Sequence, residues 1–126
     1  MVQLKLPVQK NVLNDNNEII KGEEEITVYV DTSFASHMRW QQYFQEEYNN
    51  ENLAVYIAKA SIWLKDKDLA MKHLLDLFKI MYCFIKSDDL PDFNSFISMM
   101  DNKTAPILLE KMTIILNEAG NSATKN

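Results

Sequence analysis

The hydrophobic period of this chain changes once, at the junction of Val30 and Asp31, and that change limits the fold more than any other feature. Before the junction, Leu4, Leu6 and Val8 alternate with Lys5, Pro7 and Gln9, and Ile26, Val28 and Val30 alternate with Thr27 and Tyr29. Strict alternation gives an extended chain one apolar face, so both stretches read as short strands. Pro7 lacks an N–H and places the first strand at a sheet edge. Between the strands, Asn11 to Lys21 is rich in Asn and Asp, and Gly22 and the acidic run Glu23, Glu24 and Glu25 follow. That composition is turn and loop chemistry, and the first 30 residues read as a β-hairpin with a long polar tip.

After the junction apolar residues recur at helical spacing. Asp31, Thr32 and Ser33 are three successive N-cap candidates, and a first helix is expected to run to about Tyr48. Trp40, Phe44, His37, Tyr48, Phe34 and Met38 fall on one arc of it. Asn49 and Asn50 end the element. A second helix covers Glu51 to Leu64, with Leu53, Tyr56, Ile57, Ala60, Trp63 and Leu64 as its stripe and Lys59 and Ser61 opposite. A third opens at Asp66 or Asp68 and reaches Lys86, carrying Leu74, Leu77, Phe78, Met81 and Ile85. From Leu77 to Ile85 only Lys79 is polar, so this end is either buried on several sides or half committed to a partner. Ser87 to Pro91 breaks the pattern. Asp92 or Asn94 caps a short helix with Phe93, Phe96, Ile97 and Met100. Thr104 caps a last helix with Pro106 in its first turn, the stripe Leu108, Met112, Ile115, Leu116 and Ala119, and Gly120 in the position of a terminating glycine.

The expected fold class is mainly α, about five helices with a short N-terminal β-hairpin. One domain spans residues 1–126: a hairpin arm (1–30), a helical body (31–120) and a disordered tail (121–126). The length of 126 residues suits one domain of about 100–150 residues. At 47% hydrophobic and 25% charged residues the chain has a globular composition, which argues against global disorder.

Composition also excludes whole classes of function. The net charge is −5 and no basic stripe exists, which argues against nucleic-acid binding. The N-terminus has no signal-peptide pattern. The longest apolar run, bounded by Lys79 and Lys86, falls far short of the roughly 18–20 residues of a membrane span. Cys83 is the single cysteine; inside Ile80 to Ile85 it reads as a buried small hydrophobe, and the lack of a disulfide framework suits a reducing cytoplasm. Two glycines leave no phosphate-cradling loop, and no metal or nucleophile motif appears. His37 reads as a packed side chain and His73 as solvent-facing. Asp88 with Asp89, and Asp66 with Asp68, lack the spacing of a calcium loop and read as solvated turn and cap residues. No cofactor or metal is expected, and the chain reads as a non-enzymatic binding domain. The seven Met and the two Trp, Trp40 and Trp63, are either adaptable binding groups or core.

Several features together give a resemblance. Asp31, Thr32 and Ser33 open a helix; Arg39 and Trp40 precede Phe44 by one turn; Tyr56 sits in the next helix; Tyr82, Cys83, Phe84 and Ile85 close the third. Phe93 and Phe96 follow Pro91, and Ser122 to Asn126 form a short polar end. Over nearly its full length the chain resembles the tail assembly chaperones of long-tailed phages and prophages of Gram-positive bacteria. The resemblance implies a protein that self-associates and binds the tape measure protein, keeping it soluble while tail tube subunits polymerise around it. It also implies the tail tube protein as a further partner, a site of action in the bacterial host cytoplasm, absence from the mature virion, and in many relatives a longer frameshifted form. A small phage-derived structural or regulatory adaptor is the competing reading, and an Asp88/Asp89 metal enzyme a third. The binding candidates are Phe34, Met38, Arg39, Trp40, Phe44, Tyr48, Phe78, Met81 and Tyr82. The apolar surplus is expected in Phe34 to Tyr48 and Leu77 to Ile85 and at the hairpin edge, while the second and last helices carry stripes of ordinary core width.

Overall fold

A computed structural model describes residues 3–88, 90–100 and 102–124, the side chains of residues 10, 21, 23 and 120–124 excepted. Strand β1 (Gln3–Leu13) pairs antiparallel with β2 (Ile19–Val30) along its whole length, from Gln3 opposite Tyr29 to Leu13 opposite Ile19. The polar segment expected to be a long tip is therefore mostly ladder, because backbone pairing needs no apolar side chains. Only Asn14 to Glu18 turn. The Asn14 Oδ1 accepts from the N–H groups of Asn16 and Glu18, each at 2.9 Å. Asn17 takes the left-handed conformation, φ 62°, which Asn tolerates.

Leu4, Leu6, Val8, Ile26, Val28 and Val30 are buried on one face of the hairpin, as the alternation predicts. β1 is the edge strand. Its Gln9 N–H donates outward to the Met99 carbonyl at 2.9 Å. Pro7 lies two residues from Gln9 and so shares its outward direction, where its missing donor breaks no bond to β2.

Helix α1 (Phe34–Tyr43) starts on Ser33, whose Oγ accepts from the Ala35 N–H. It stops five residues early and gives way to a 3₁₀ turn, Gln45–Tyr48, closed by Asn49 and Asn50 at φ 57° and 60°. Helix α2 (Leu53–Trp63) is capped by Asn52. The expected third helix is two, α3 (Lys67–Lys72) and α4 (Leu74–Phe84). They join at His73, whose ring stacks on Trp63 at 4.0 Å between centroids, with 8° between planes. His73 is thus half-buried rather than solvent-facing. Residues Ile85–Lys86 leave the helix and form β3 on the far side of β2, opposite Val30 and Tyr29. Two donors from outside end α4: the Asp31 N–H takes the Phe84 carbonyl at 2.7 Å, and the Arg39 Nε–H takes that of Cys83 at 2.8 Å. Helix α5 (Phe93–Ser98) lies where expected. Helix α6 (Ala105–Thr124) runs through Gly120, so that glycine is no terminator and residues 121–124 of the expected tail are helical; residues 125 and 126 lie outside the described ones.

The chain is therefore mixed α/β, not mainly α with an appended hairpin: among the described residues six helices accompany a three-stranded antiparallel sheet ordered β1-β2-β3. α4 is central and touches each of the other helices. Leu77, Ile80, Met81 and Cys83 are wholly buried in it.

Candidate binding surface

The site is built on α1, and α1 is held by one ion pair. Asp31, at the end of β2, accepts from the Ser33 N–H at 2.9 Å and meets the Arg39 guanidinium at 3.1 Å. The same guanidinium reaches the Cys83 carbonyl, so one side chain ties α1 to the sheet and to the end of α4. Burial opposes the charge on Asp31, but hydrogen bonds from Ser33 and the Arg39 charge outweigh it and hold the carboxyl below its ordinary 3.8. Burial pushes the Cys83 thiol up to about 12, against the pull of Arg39. Cys83 is the inert core thiol expected from its surroundings.

Beneath α1 lies an aromatic cluster. Trp40 is wholly buried, its Nε1–H donating to the Glu51 carbonyl at 3.0 Å. Phe44, Tyr48 and Tyr56 surround it at 5.7, 5.1 and 5.2 Å between centroids. Tyr48 donates to the Asp76 carboxylate, which also meets His73 Nδ1 at 3.2 Å. Burial first and Asp76 second push the Tyr48 phenol up. This network fixes the 3₁₀ turn against α4.

Where α1, the 3₁₀ turn, α4 and α5 diverge, an open groove of about 820 Å³ forms. Tyr43, Phe44 and Glu47 line it from α1 and the 3₁₀ turn, and Phe93 and Ile97 from α5. Leu75, Lys79 and Tyr82 form its base at helical spacing along one face of α4. Its rings pack edge to face: Phe44 on Phe93 at 5.0 Å and Tyr82 on Phe93 at 5.3 Å. Gln42, Asp92 and Asn94 add polar groups to the lining, while Lys79, Glu47 and Tyr82 are already engaged. Lys79 pairs with Glu47 at 3.0 Å and lies over the Tyr48 and Phe44 rings at 5.0 and 5.7 Å. The Tyr82 hydroxyl donates to the Pro91 carbonyl at 2.7 Å, and burial, then Tyr43 and Asp92, push its phenol up. A groove with aromatic walls and a few fixed polar groups suits an apolar helix face.

The binding candidates divide sharply. Phe44 and Tyr82 line the groove, and Tyr48 supports its wall. Trp40, Phe78 and Met81 are core, at 6% exposure or less, and Phe44, also at 6%, belongs to the core as well as to the groove lining. Arg39 is the structural clamp. Phe34 and Met38 stand out in solvent at 77% and 58% exposure, with the His37 ring stacked on Phe34. The surplus expected in Leu77 to Ile85 is interior. An unexpected surplus lies on α2, where Val55 and Ile62 are exposed together with Ala54 and Ala58. Apart from Phe44 and Tyr82, no lining residue was among the binding candidates, and the apolar ones missed are Tyr43, Leu75, Phe93 and Ile97. Tyr43 had one legible signal, an aromatic off the Trp40–Phe44 arc and hence on a side the core does not claim.

Among the described residues no group of three or more His, Cys, Asp or Glu could hold a metal ion. Asp88 is exposed, and Asp89 lies outside the described residues. No described helix is long and apolar enough to cross a membrane. The chain matches no family model, no curated protein and no solved structure.

Proposed function

We propose that this protein is a tail assembly chaperone of a long-tailed phage of a Gram-positive host. In this reading it is a non-enzymatic, self-associating protein that binds helical stretches of the tape measure protein and keeps them soluble while tail tube subunits polymerise. It acts in the host cytoplasm and is left out of the virion. The groove between α1, α4 and α5 carries the reading. Its aromatic walls and its Leu75–Lys79–Tyr82 base form a track for one apolar helix face, the mode by which grooves take amphipathic helices. The resemblance through Arg39, Trp40, Tyr82 and Phe93 names the client. Several copies along a long client would raise avidity beyond that of one groove.

Co-expression with tape measure fragments tests it. The tagged chain is expected to retain a helical fragment and keep it in the soluble fraction, and light scattering is expected to show a mass that rises with concentration. A strictly monomeric chain that retains no fragment overturns the reading. Detection of the chain in purified virions by mass spectrometry overturns it in favour of a structural adaptor.

A further inference from the structure

We propose that the outer edge of β2, from Ile19 to Glu25, pairs antiparallel with the same edge of a second copy about a two-fold axis at Gly22. The inference rests on the self-association in the reading above and adds where two copies meet.

β2 is lined by β1 along its whole length but by β3 only at Tyr29 and Val30. The Asp31 N–H points to the β3 side, where it meets Phe84. Backbone direction alternates along a strand, so Ile19, Lys21, Glu23, Glu25 and Thr27 turn their N–H and C=O groups to that same side. Among the described residues no other strand lies along this stretch. The opposite edge, on β1, is broken by Pro7 and by the bond from Gln9 to Met99. The end of the hairpin also reaches beyond the helices. Val12 and Ile20 are 40% and 44% exposed on one face, and Leu13 and Ile19 are 67% and 72% exposed on the other.

Charge selects the occupant and the register. A regular antiparallel ladder sets outward-turned residues opposite outward-turned residues, so the axis of a symmetric pair must fall on a residue. At Glu23 the axis sets Glu23 opposite itself between two Lys21–Glu25 pairs; at Glu24 it sets Glu23 opposite Glu25 twice and Glu24 opposite itself; at Glu25 it sets Glu25 opposite itself. At Lys21 it sets lysine opposite lysine. At Ile20 the ladder shrinks to Ile19 to Lys21, because Asn17 is already in the left-handed turn. The axis at Gly22 sets position 21 opposite position 23 twice, lysine against glutamate, with Ile19 opposite Glu25. It pairs seven positions of each copy through roughly eight backbone hydrogen bonds. Every other axis from Lys21 to Glu25 sets at least one pair of like charges opposite each other, which disfavours pairing as charges on natural sheet edges do, and the axis at Gly22 sets none.

Cross-linking reads the register directly. Gly22 has no positive φ, so Gly22→Cys introduces no backbone conflict, and the native Cys83 is buried. In this dimer two copies of position 22 form a non-hydrogen-bonded pair, with Cα atoms about 4.5 Å apart, within reach of a disulfide. Under mild oxidation Gly22→Cys is expected to give a covalent dimer, and Thr27→Cys, outside the ladder, is not. Glu23→Lys is expected to weaken the dimer about tenfold at low ionic strength, and adding Lys21→Glu to restore it. A Gly22→Cys chain that folds, by circular dichroism, yet links no faster than Thr27→Cys overturns the inference. If light scattering still shows oligomers in that case, the functional reading stands; if the native chain is monomeric at every concentration, the self-association fails with it.

Discussion

α2 and α4 differ as sequences, and their surroundings reverse what that difference suggests. α2 carries a stripe of ordinary core width with Lys59 and Ser61 opposite, whereas from Leu77 to Ile85 only Lys79 is polar. α4 touches each of the other helices, so nearly every apolar residue in it is enclosed. α2 meets α1, α3, α4 and α6 and leaves Val55 and Ile62 in solvent. A helix that is apolar all round is thus not a binding helix on that account. What decides is how many neighbours the topology gives it. Even on α4 the strip that lines the groove, Leu75, Lys79 and Tyr82, carries a charge, because there the neighbouring helices part.

Opening a cavity beside α4 should give the greatest effect on stability. Ile80 is wholly buried, and Ile80→Ala is expected to cost about 2–5 kcal/mol, transfer and cavity terms together. Urea unfolding followed by tryptophan fluorescence measures this. A loss below about 1 kcal/mol would mean that α4 is not the enclosed centre.

The junction of α1 with α4 comes next. Arg39→Ala leaves the mostly buried Asp31 carboxylate without its cation and the Cys83 carbonyl without its donor. A loss of about 1.5–3 kcal/mol is expected, and Arg39→Lys should not restore it, since one ammonium cannot supply both bonds in their fixed geometry. The pH dependence has a definite sign. Asp31 is held below its ordinary value, so its contribution is present above 3.8 and is lost as pH falls below that. Arg39→Ala should flatten part of the acid limb. At the other end Cys83 rises from 9.0 to about 12, so burial of the neutral thiol favours folding below pH 9 and the benefit is lost as pH climbs towards 12. A Cys83→Ala chain whose alkaline limb is unchanged would contradict this.

In the groove the expected change is in binding rather than folding. Tyr43 is 50% exposed and forms a wall. Tyr43→Ala should lower affinity for a helical client fragment about tenfold, as loss of an aromatic anchor does, while leaving the unfolding midpoint nearly unchanged. Isothermal titration beside a urea melt separates the two. A melt that shifts as much as Ile80→Ala would make Tyr43 a core residue and deprive the groove of its wall.

Local signals were legible in the sequence, and the parts made by distant contacts were not. Leu4, Leu6 and Val8 against Ile26, Val28 and Val30 announced the hairpin and its buried face, and Asn49, Asn50 and Pro91 announced the breaks. The fold class differs from the expectation because Gln9 to Leu13 and Ile19 to Glu23 pair through backbone and carry no apolar alternation, and because β3 forms by long-range pairing with Tyr29 and Val30, beside the bonds from Asp31 and Arg39 to the end of α4. His73 divided the third helix by stacking on Trp63, ten residues away. The groove draws on three separate segments. Phe44 and Tyr82 stood out as aromatics, but nothing local to Leu75 or Ile97 set them apart from core residues.

The smallest expected effect bears most directly on α2. Ile62 is 61% exposed, so Ile62→Ser removes little buried area, and folding stability should change by no more than about 0.5 kcal/mol. If that is the whole result, the apolar outer face of α2 is surface of the kind that folded proteins commonly carry. If instead stability holds while the chain loses mass in light scattering or releases a client fragment, α2 is a contact after all. The contrast with α4 would then be between a helix enclosed by its own chain and one enclosed by another. Measuring Ile62→Ser beside Gly22→Cys assigns the contact, because a covalent pair through position 22 that keeps forming without Ile62 places α2 outside the two-fold interface.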